Sequence, residues 1–369
     1  MFFAWLLQMN LVLGQELNRN SDFKKYTTDP NYDKNKLPPS DGPLQVRGQM
    51  NLRNILDVSE SKQLISLETT LTFVWKDTRI TPKLDRLDRN KNYMILSPRH
   101  EKEFWMPDMF IDQAKAIRKP KYLIEPASIR LYSDSTIRYS RRMNYDVACS
   151  MTFRKFPFDN QTCRIIIHSF SHTTDEYQLS WNRDSYKNSR INLAQFTYDI
   201  SYTDEYDMEE YDVVYPGLIA TITFDRIKSY HIIQTYIPSG LFVIVSYLTL
   251  FMPPTGLVAR SGVPVLVLLT LFNMNNGIRA NVPKVSYATY LDIWITTCFL
   301  LVFLTLFEYC LVHCVNDWIK REDIAKKIEI TFRFLLPSLF IVFIIFYVIL
   351  FYWGDLDSSL DLSSDSFVE

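Results

Sequence analysis

Cys149 and Cys163 stand with 13 residues between them, in a stretch rich in charged and strand-forming residues. An even pair in an exported region reads as one disulfide. Asn160-Gln161-Thr162, inside that loop, is an N-glycosylation sequon and supports an extracellular position for Asn160. Further on, Leu266, Leu269, Asn273 and Asn276 bring leucines and amides into one apolar run. That mixture suits a water path with a greasy constriction. Cys298, Cys310 and Cys314 lie in another apolar run and read as buried small hydrophobes. There is no nucleophile–base set, phosphate-cradling loop or metal-ligand framework, so the residues offer recognition and permeation, not catalysis. No metal site and no cofactor are implied.

The elements that must position these residues follow from where the charges fall. The chain has 369 residues, with 40 Lys+Arg against 41 Asp+Glu. This balance argues against nucleic acid as a partner. At 47% hydrophobic residues, global disorder is excluded. Most of the charges precede residue 229. Residues 1–14 are apolar and read as a secretory signal. Residues 15–228 then form an extracellular part, and residues 229–354 a membrane part with four spans. The uncharged runs are Ser229–Ala259, Ser261–Ile278, Ile293–Phe307 and Phe334–Gly354. Four spans place both termini outside and leave a short cytoplasmic loop at about 316–333. Its Lys320, Arg321, Lys326, Lys327 and Arg333 fit the positive-inside bias. Residues 355–369 form an acidic extracellular tail.

Ile65–Trp75, two runs within Ser128–Val147, Arg164–Phe170, Tyr198–Tyr202 and Leu218–Phe224 read as short strands between polar turns. The expected fold is an extracellular antiparallel β-sandwich followed by a four-helix transmembrane bundle. Helical periodicity in the extracellular part is confined to Asn18–Tyr26.

On a helix, Ala259, Gly262, Leu266, Leu269, Asn273, Asn276 and Ala280 recur at steps of three and four residues and share one face. Several such faces around an axis make a pore. A ring of Leu269 backed by Leu266 is a constriction that dewets without a plug.

The loop CSMTFRKFPFDNQTC, with Phe156-Pro157-Phe158-Asp159 at its centre, resembles the signature of the Cys-loop receptors, the pentameric ligand-gated ion channels. Trp75-x-Asp77, Trp105-x-Pro107-Asp108, Tyr236-Ile237-Pro238 and Pro283-Lys284-Val285-Ser286-Tyr287 agree in order. The resemblance spans about Leu52 to Trp353. It implies a homo- or hetero-pentamer in the plasma membrane, multi-pass and postsynaptic. A small neurotransmitter-like agonist would open it at the subunit interfaces. Chloride or other small ions and membrane lipid are the remaining implied partners.

Ala259-Arg260 at the inner mouth, with no acid before them, resembles the anion-selective glycine/GABA-receptor-like branch. The expectation is a positively charged rim at Arg260. Val258, Leu266 and Asn273 depart from that branch, and Pro253-Pro254 resembles the cation-selective one. On the principal face the family positions hold Phe110, Phe170 and Tyr215, with Tyr211, and His168 and His172 flank Phe170. On the complementary face they hold Thr72 and Arg130, so half of an arginine clamp for a carboxylate is missing. With the acidic run Asp204–Asp212, this favours a cationic agonist such as a biogenic amine, or modulation by protons or divalent metal. Glu60, Asp159, Arg226 and Lys284 match the positions that couple binding to opening, with Arg226 expected to pair with Glu60 or Asp159. The alternatives are a cation-selective channel and a non-conducting assembly or modulatory subunit.

Overall fold

The computed structural model describes residues 31–80, 92–120, 123–182, 191–210, 213–253, 257–279 and 284–364. The signal at 1–14, the helix at Asn18–Tyr26, Tyr211, Ala280 and the end of the acidic tail lie outside them. The chain divides into two compact units. One comprises Met1–Met151, Thr162–Leu193 and Thr197–Phe224. The other comprises Thr152–Gln161, Ala194–Phe196 and Asp225–Glu369.

The first unit is built on two sheets. Among the described residues, eleven strands run in chain order: β1 Leu44–Ser59, β2 Leu64–Lys76, β3 Tyr93–Leu96, β4 Met109–Ile111, β5 Ala114–Arg118, β6 Ala127–Tyr132, β7 Thr136–Ala148, β8 Asn160–Ser169, β9 Tyr177–Trp181, β10 Phe196–Glu210 and β11 Val213–Arg226. One sheet has the order β3-β6-β7-β2-β1-β9 with β5 on β7, and the other β10-β11-β8-β4. Against the expected antiparallel sandwich, β1 and β9 pair in parallel. β1, the longest strand, escapes the sequence reading although Leu44, Val46, Met50 and Leu52 alternate and are buried. Its other face carries Gln45, Arg47, Gln49, Asn51 and Arg53, so the run looks polar on average.

The inner faces interlock. Trp181 Nε1 of β9 donates to the Thr203 carbonyl of β10 at 2.9 Å, and Tyr202 Oη of β10 donates to the Met50 carbonyl of β1 at 3.0 Å. Gly48 in β1 is the point of closest approach: a Cβ there would lie 2.7 Å from Leu218 Cδ1 of β11. Gly48→Val is expected to overpack this contact and cost ~1–3 kcal/mol. Thermal unfolding of the purified protein measures it, and an unchanged midpoint would show that Leu218 yields freely.

Among its described residues the second unit contains four long helices, each long and apolar enough to cross a membrane. They are α1 Ser229–Phe251, α2 Leu257–Arg279, α3 Tyr290–Asp317 and α4 Glu322–Ser364. α1 contains a π-turn at Ile232–Tyr236, just before Pro238, whose missing N–H interrupts the ladder. α3 starts on a capping box between Thr289 and Asp292. Polar groups join the helices where lipid offers none. Trp294 Nε1 donates to Ser239 Oγ at 2.8 Å, and the Ser246 and Thr305 hydroxyls meet at 2.6 Å.

Two expectations are corrected. The loop at about 316–333 shrinks to Trp318–Arg321, because α4 begins at Glu322. Glu322 and Asp323 favour a helix start, and Glu329 pairs with Arg333 one turn on at 2.9 Å, so the charged stretch is helical. Of the three α3 cysteines only Cys298 is buried, while Cys310 and Cys314 are exposed on the outer side of the helix.

Candidate functional site

The first site is an aromatic platform on the four-stranded sheet. β4 and β8 pair antiparallel with Phe110 opposite His168. Their rings lie 4.0 Å apart, and Phe110 meets Phe170 edge-on at 5.5 Å. Phe170 is 72% exposed, whereas His168 is buried. The His168 Nδ1 faces the Ser169 carbonyl at 2.9 Å, so this nitrogen carries the proton and donates.

Asp108 braces the loop that presents Phe170. Its Oδ1 accepts from Ser169 Oγ at 2.9 Å and its Oδ2 from the Ser171 N–H at 2.7 Å. His172 faces Glu176 at 3.0 Å and stands 6.3 Å from the Trp105 ring. Tyr177 supports this cluster from beneath. Burial raises its hydroxyl well above the usual tyrosine range, so it stays neutral and donates to Met109 Sδ at 3.1 Å. The structure therefore unites Phe110, His168 and Phe170. Tyr215 is half-buried in β11, and the Asp204–Glu210 backbone belongs to β10.

Sequence reading misses Asp108's role as the brace. Ser169 and Ser171 lie 61 and 63 positions away, so no local signal marked it. Because Phe170 is exposed, Phe170→Ala is expected to leave surface expression unchanged. If the platform takes the cationic agonist expected from the sequence, the substitution should raise its half-maximal concentration by roughly 2- to 30-fold, the range that one cation–π contact spans. Concentration–response curves measure this, and an unchanged curve would remove Phe170 from the site.

The outward face of the seven-stranded sheet differs from expectation. Thr72 is 2% exposed and its hydroxyl meets Ser140 Oγ at 2.9 Å, so it cannot touch a ligand. A short side chain between Gln49 and Ser140 in a central strand is simply covered by its neighbours. Arg130 is half-buried and stacks on Tyr93 at 5.0 Å. Its register partner is Arg138, whose Nη2 donates to Gln49 Oε1 at 3.4 Å. Arg142 is held by Glu68 at 2.9 Å and lines a cleft of ≈ 310 Å³ with Lys119, Ile124, Glu125 and Arg141. The alternation Arg138, Ser140, Arg142 along β7 signals this face.

The second site is a clasp within the helical unit. Arg226 Nε donates to Asp159 Oδ1 at 2.7 Å and its Nη2 to Oδ2 at 3.1 Å, with both side chains buried. The guanidinium lies over Phe156 at 4.7 Å and over Phe196 at 4.8 Å. Gln161 Nε2 donates to Asp159 Oδ2 at 2.5 Å and to the Thr152 carbonyl at 2.7 Å. The same loop reaches α3: the Tyr290 N–H donates to the Arg154 carbonyl at 3.0 Å and the Leu291 N–H to the Phe156 carbonyl at 3.2 Å. Phe156 also meets His231 of α1 at 4.9 Å. Cys149 and Cys163 are disulfide-bonded at the base of this loop, and Asn160 is exposed. Glu60 sits in the turn after β1, and Lys284 is exposed before α3.

The third site is a face of α2. Pro264, Val267 and Leu271 are buried against the neighbouring helices. Gly262, Leu266, Leu269, Asn273 and Asn276 are exposed, Leu266 at 63% and Leu269 at 56%. Ala259 lies in the first turn, and its side chain is outside the described residues. The expected charged rim needs correction at Arg260, which is 1% exposed and turned into the bundle. Its partners are acids on α3 and α4.

Three such sites suit a protein that senses a small molecule and opens a water path. The sequence matches the neurotransmitter-gated ion-channel ligand binding domain over residues 22–228. It matches the neurotransmitter-gated ion-channel transmembrane region over residues 235–327. It is 29% identical to the glutamate-gated chloride channel of Drosophila melanogaster over 325 residues, covering 85% of this chain and 70% of that one. It is 28% identical to the gamma-aminobutyric acid receptor subunit rho-1 of Rattus norvegicus over 309 residues, 81% of this chain and 63% of that one. With the serotonin-gated chloride channel mod-1 of Caenorhabditis elegans the identity is 28% over 292 residues, 78% of this chain and 58% of that one.

Proposed function

Because this chain belongs to the neurotransmitter-gated ion-channel family, we propose that it is a subunit of a pentameric, chloride-permeable channel opened by a small neurotransmitter-like agonist. Members of this family are ion channels and not enzymes, and the four apolar helices make the chain a multi-pass membrane protein. The observation that carries the reading is the α2 face of Gly262, Leu266, Leu269, Asn273 and Asn276, left without a partner in the single subunit. Five copies turn these faces onto one axis, and the leucine rings make a constriction that water leaves when the helices close. Chloride is favoured because two of the relatives are chloride channels by name and because Val258-Ala259 supplies no acid at the inner mouth.

The agonist binds between subunits, with Phe110 and Phe170 contributing from one side and the outer face of β7 from the other. Residues 15–228 lie outside the cell, preceded by the signal at 1–14. Trp318–Arg321 is the cytoplasmic turn, and the plasma membrane of a postsynaptic cell is the site of action. The clasp between Asp159 and Arg226 carries the opening signal. Whole-cell recording from cells expressing the chain alone tests this reading. Glutamate, gamma-aminobutyric acid and serotonin are applied in turn, and reversal potentials are read at two chloride concentrations. A reversal potential that follows chloride is expected, whereas one that follows sodium would contradict the selectivity.

A further inference from the structure

Arg260, in the first turn of α2, is where a charged rim would be sought, yet its side chain is almost fully buried. Its Nη2 donates to Glu329 Oε1 of α4 at 2.9 Å and lies 3.4 Å from Glu308 Oε1 of α3. The same nitrogen lies 3.5 Å from the Leu250 carbonyl near the end of α1. Arg333 of α4 shares both acceptors, with Nη2 donating to Glu329 Oε1 at 2.9 Å and Nε to the Leu250 carbonyl at 3.1 Å. One network thus takes a group from each of the four helices. Two arginines face two glutamates, so losing one partner alone leaves a buried charge unmatched, whereas losing one of each sign does not. Among the described residues, Arg260 Nε and Nη1 and Glu308 Oε2 are buried with no partner. Arg260 therefore holds its acids through one nitrogen of three.

We propose that Glu308 and Glu329 are positioning residues for the pore helix: by holding Arg260 inside the bundle they tie the start of α2 to α3 and α4, so that Arg260 acts on opening and not on ion choice. A guanidinium turned into the bundle and paired with the Glu329 carboxylate presents little field to a passing anion. It resists tilting of α2, because a tilt must break or remake a buried ion pair. The outer side of α4 is apolar and exposed, with Phe334, Ile341, Val342, Ile345 and Phe346 uncovered. The tie gives this outlying helix mechanical access to the gate, so α4 is part of the opening machinery.

The test compares Arg260→Gln, Glu329→Gln and the double variant in the full chain. Currents are evoked with whichever of glutamate, gamma-aminobutyric acid and serotonin opens the parent. Each single variant is expected to shift the half-maximal concentration tenfold or more. The double variant should shift it no further than the larger single, with reversal potentials unchanged throughout. A displaced reversal potential in Arg260→Gln with unaltered potency would overturn the proposal, as would single effects that multiply in the double variant. Thermal unfolding of the solubilised pentamer supplies a reading that needs no agonist. Losses in the double variant that fall short of the summed singles support the tie, and additive losses overturn it. If a single variant does not reach the surface, the double variant decides: its recovery there supports the tie and its absence overturns it.

Discussion

Arg226→Ala should empty the cell surface of this channel. The substitution leaves the Asp159 carboxylate buried with Gln161 Nε2 as its remaining side-chain donor among the contacts described above. It also removes the cation packed between Phe156 and Phe196. Stripping one partner from a buried ion pair costs about 3–5 kcal/mol, a large part of the 5–15 kcal/mol that stabilises an ordinary domain. The damage falls on the loop that docks against Tyr290 and Leu291 of α3, so assembly suffers before signalling does. Surface biotinylation and agonist-evoked current should both fall to background. Arg226→Lys should recover only part of each, since an ammonium keeps the charge but loses the two-pronged geometry. Normal surface protein with normal currents in Arg226→Ala would show that the clasp is dispensable.

Leu269→Ser should have the opposite effect and produce a channel that conducts without agonist. Leu269 lies in the middle of the exposed α2 face, one turn from Leu266. In a five-fold ring the substitution replaces five isobutyl groups by hydroxyls at once and removes the dewetting barrier. A standing current in the absence of agonist is expected. Potency should rise tenfold or more, which corresponds to ~1.4 kcal/mol in favour of the open state. Val267→Ser, one step round the same helix on its buried side, should instead reduce expression. The reverse pattern, with standing current from Val267→Ser and none from Leu269→Ser, would place the water path on the wrong face.

The helix face and the strands carrying Ile65, Leu67 and Trp75 were legible because side-chain direction follows the period of the element. The same rule exposes β1 once its residues are separated by parity, with Leu44, Val46, Met50 and Leu52 on one side and a polar row on the other. Arg260 was not legible. A cation beside a helix start reads as solvent-facing, and its acids lie 48 and 69 positions away. Only the packing of α3 and α4 brings them together. Thr72 was misplaced for a related reason. Its position in the strand is clear from sequence, but its covering by Gln49 and Ser140 depends on the strand order β1-β2-β7. The start of α4 was lost to its charges, which look like a loop until Glu329 and Arg333 are seen to pair along a helix. Asp159 and Arg226 were named among the coupling positions, and the structure supplies what sequence left open, the pairing of these two.

The proposed channel requires α2 to line water with the face it leaves unpartnered. The most direct measurement replaces Gly262, Leu266, Leu269, Asn273 and Asn276, and separately Pro264, Val267 and Leu271, with cysteine one at a time. A charged thiol reagent is then applied to the open channel. Block at each position of the first group and none in the second is the result this account requires. Reaction confined to Pro264, Val267 and Leu271, or silence along the whole helix, would contradict it.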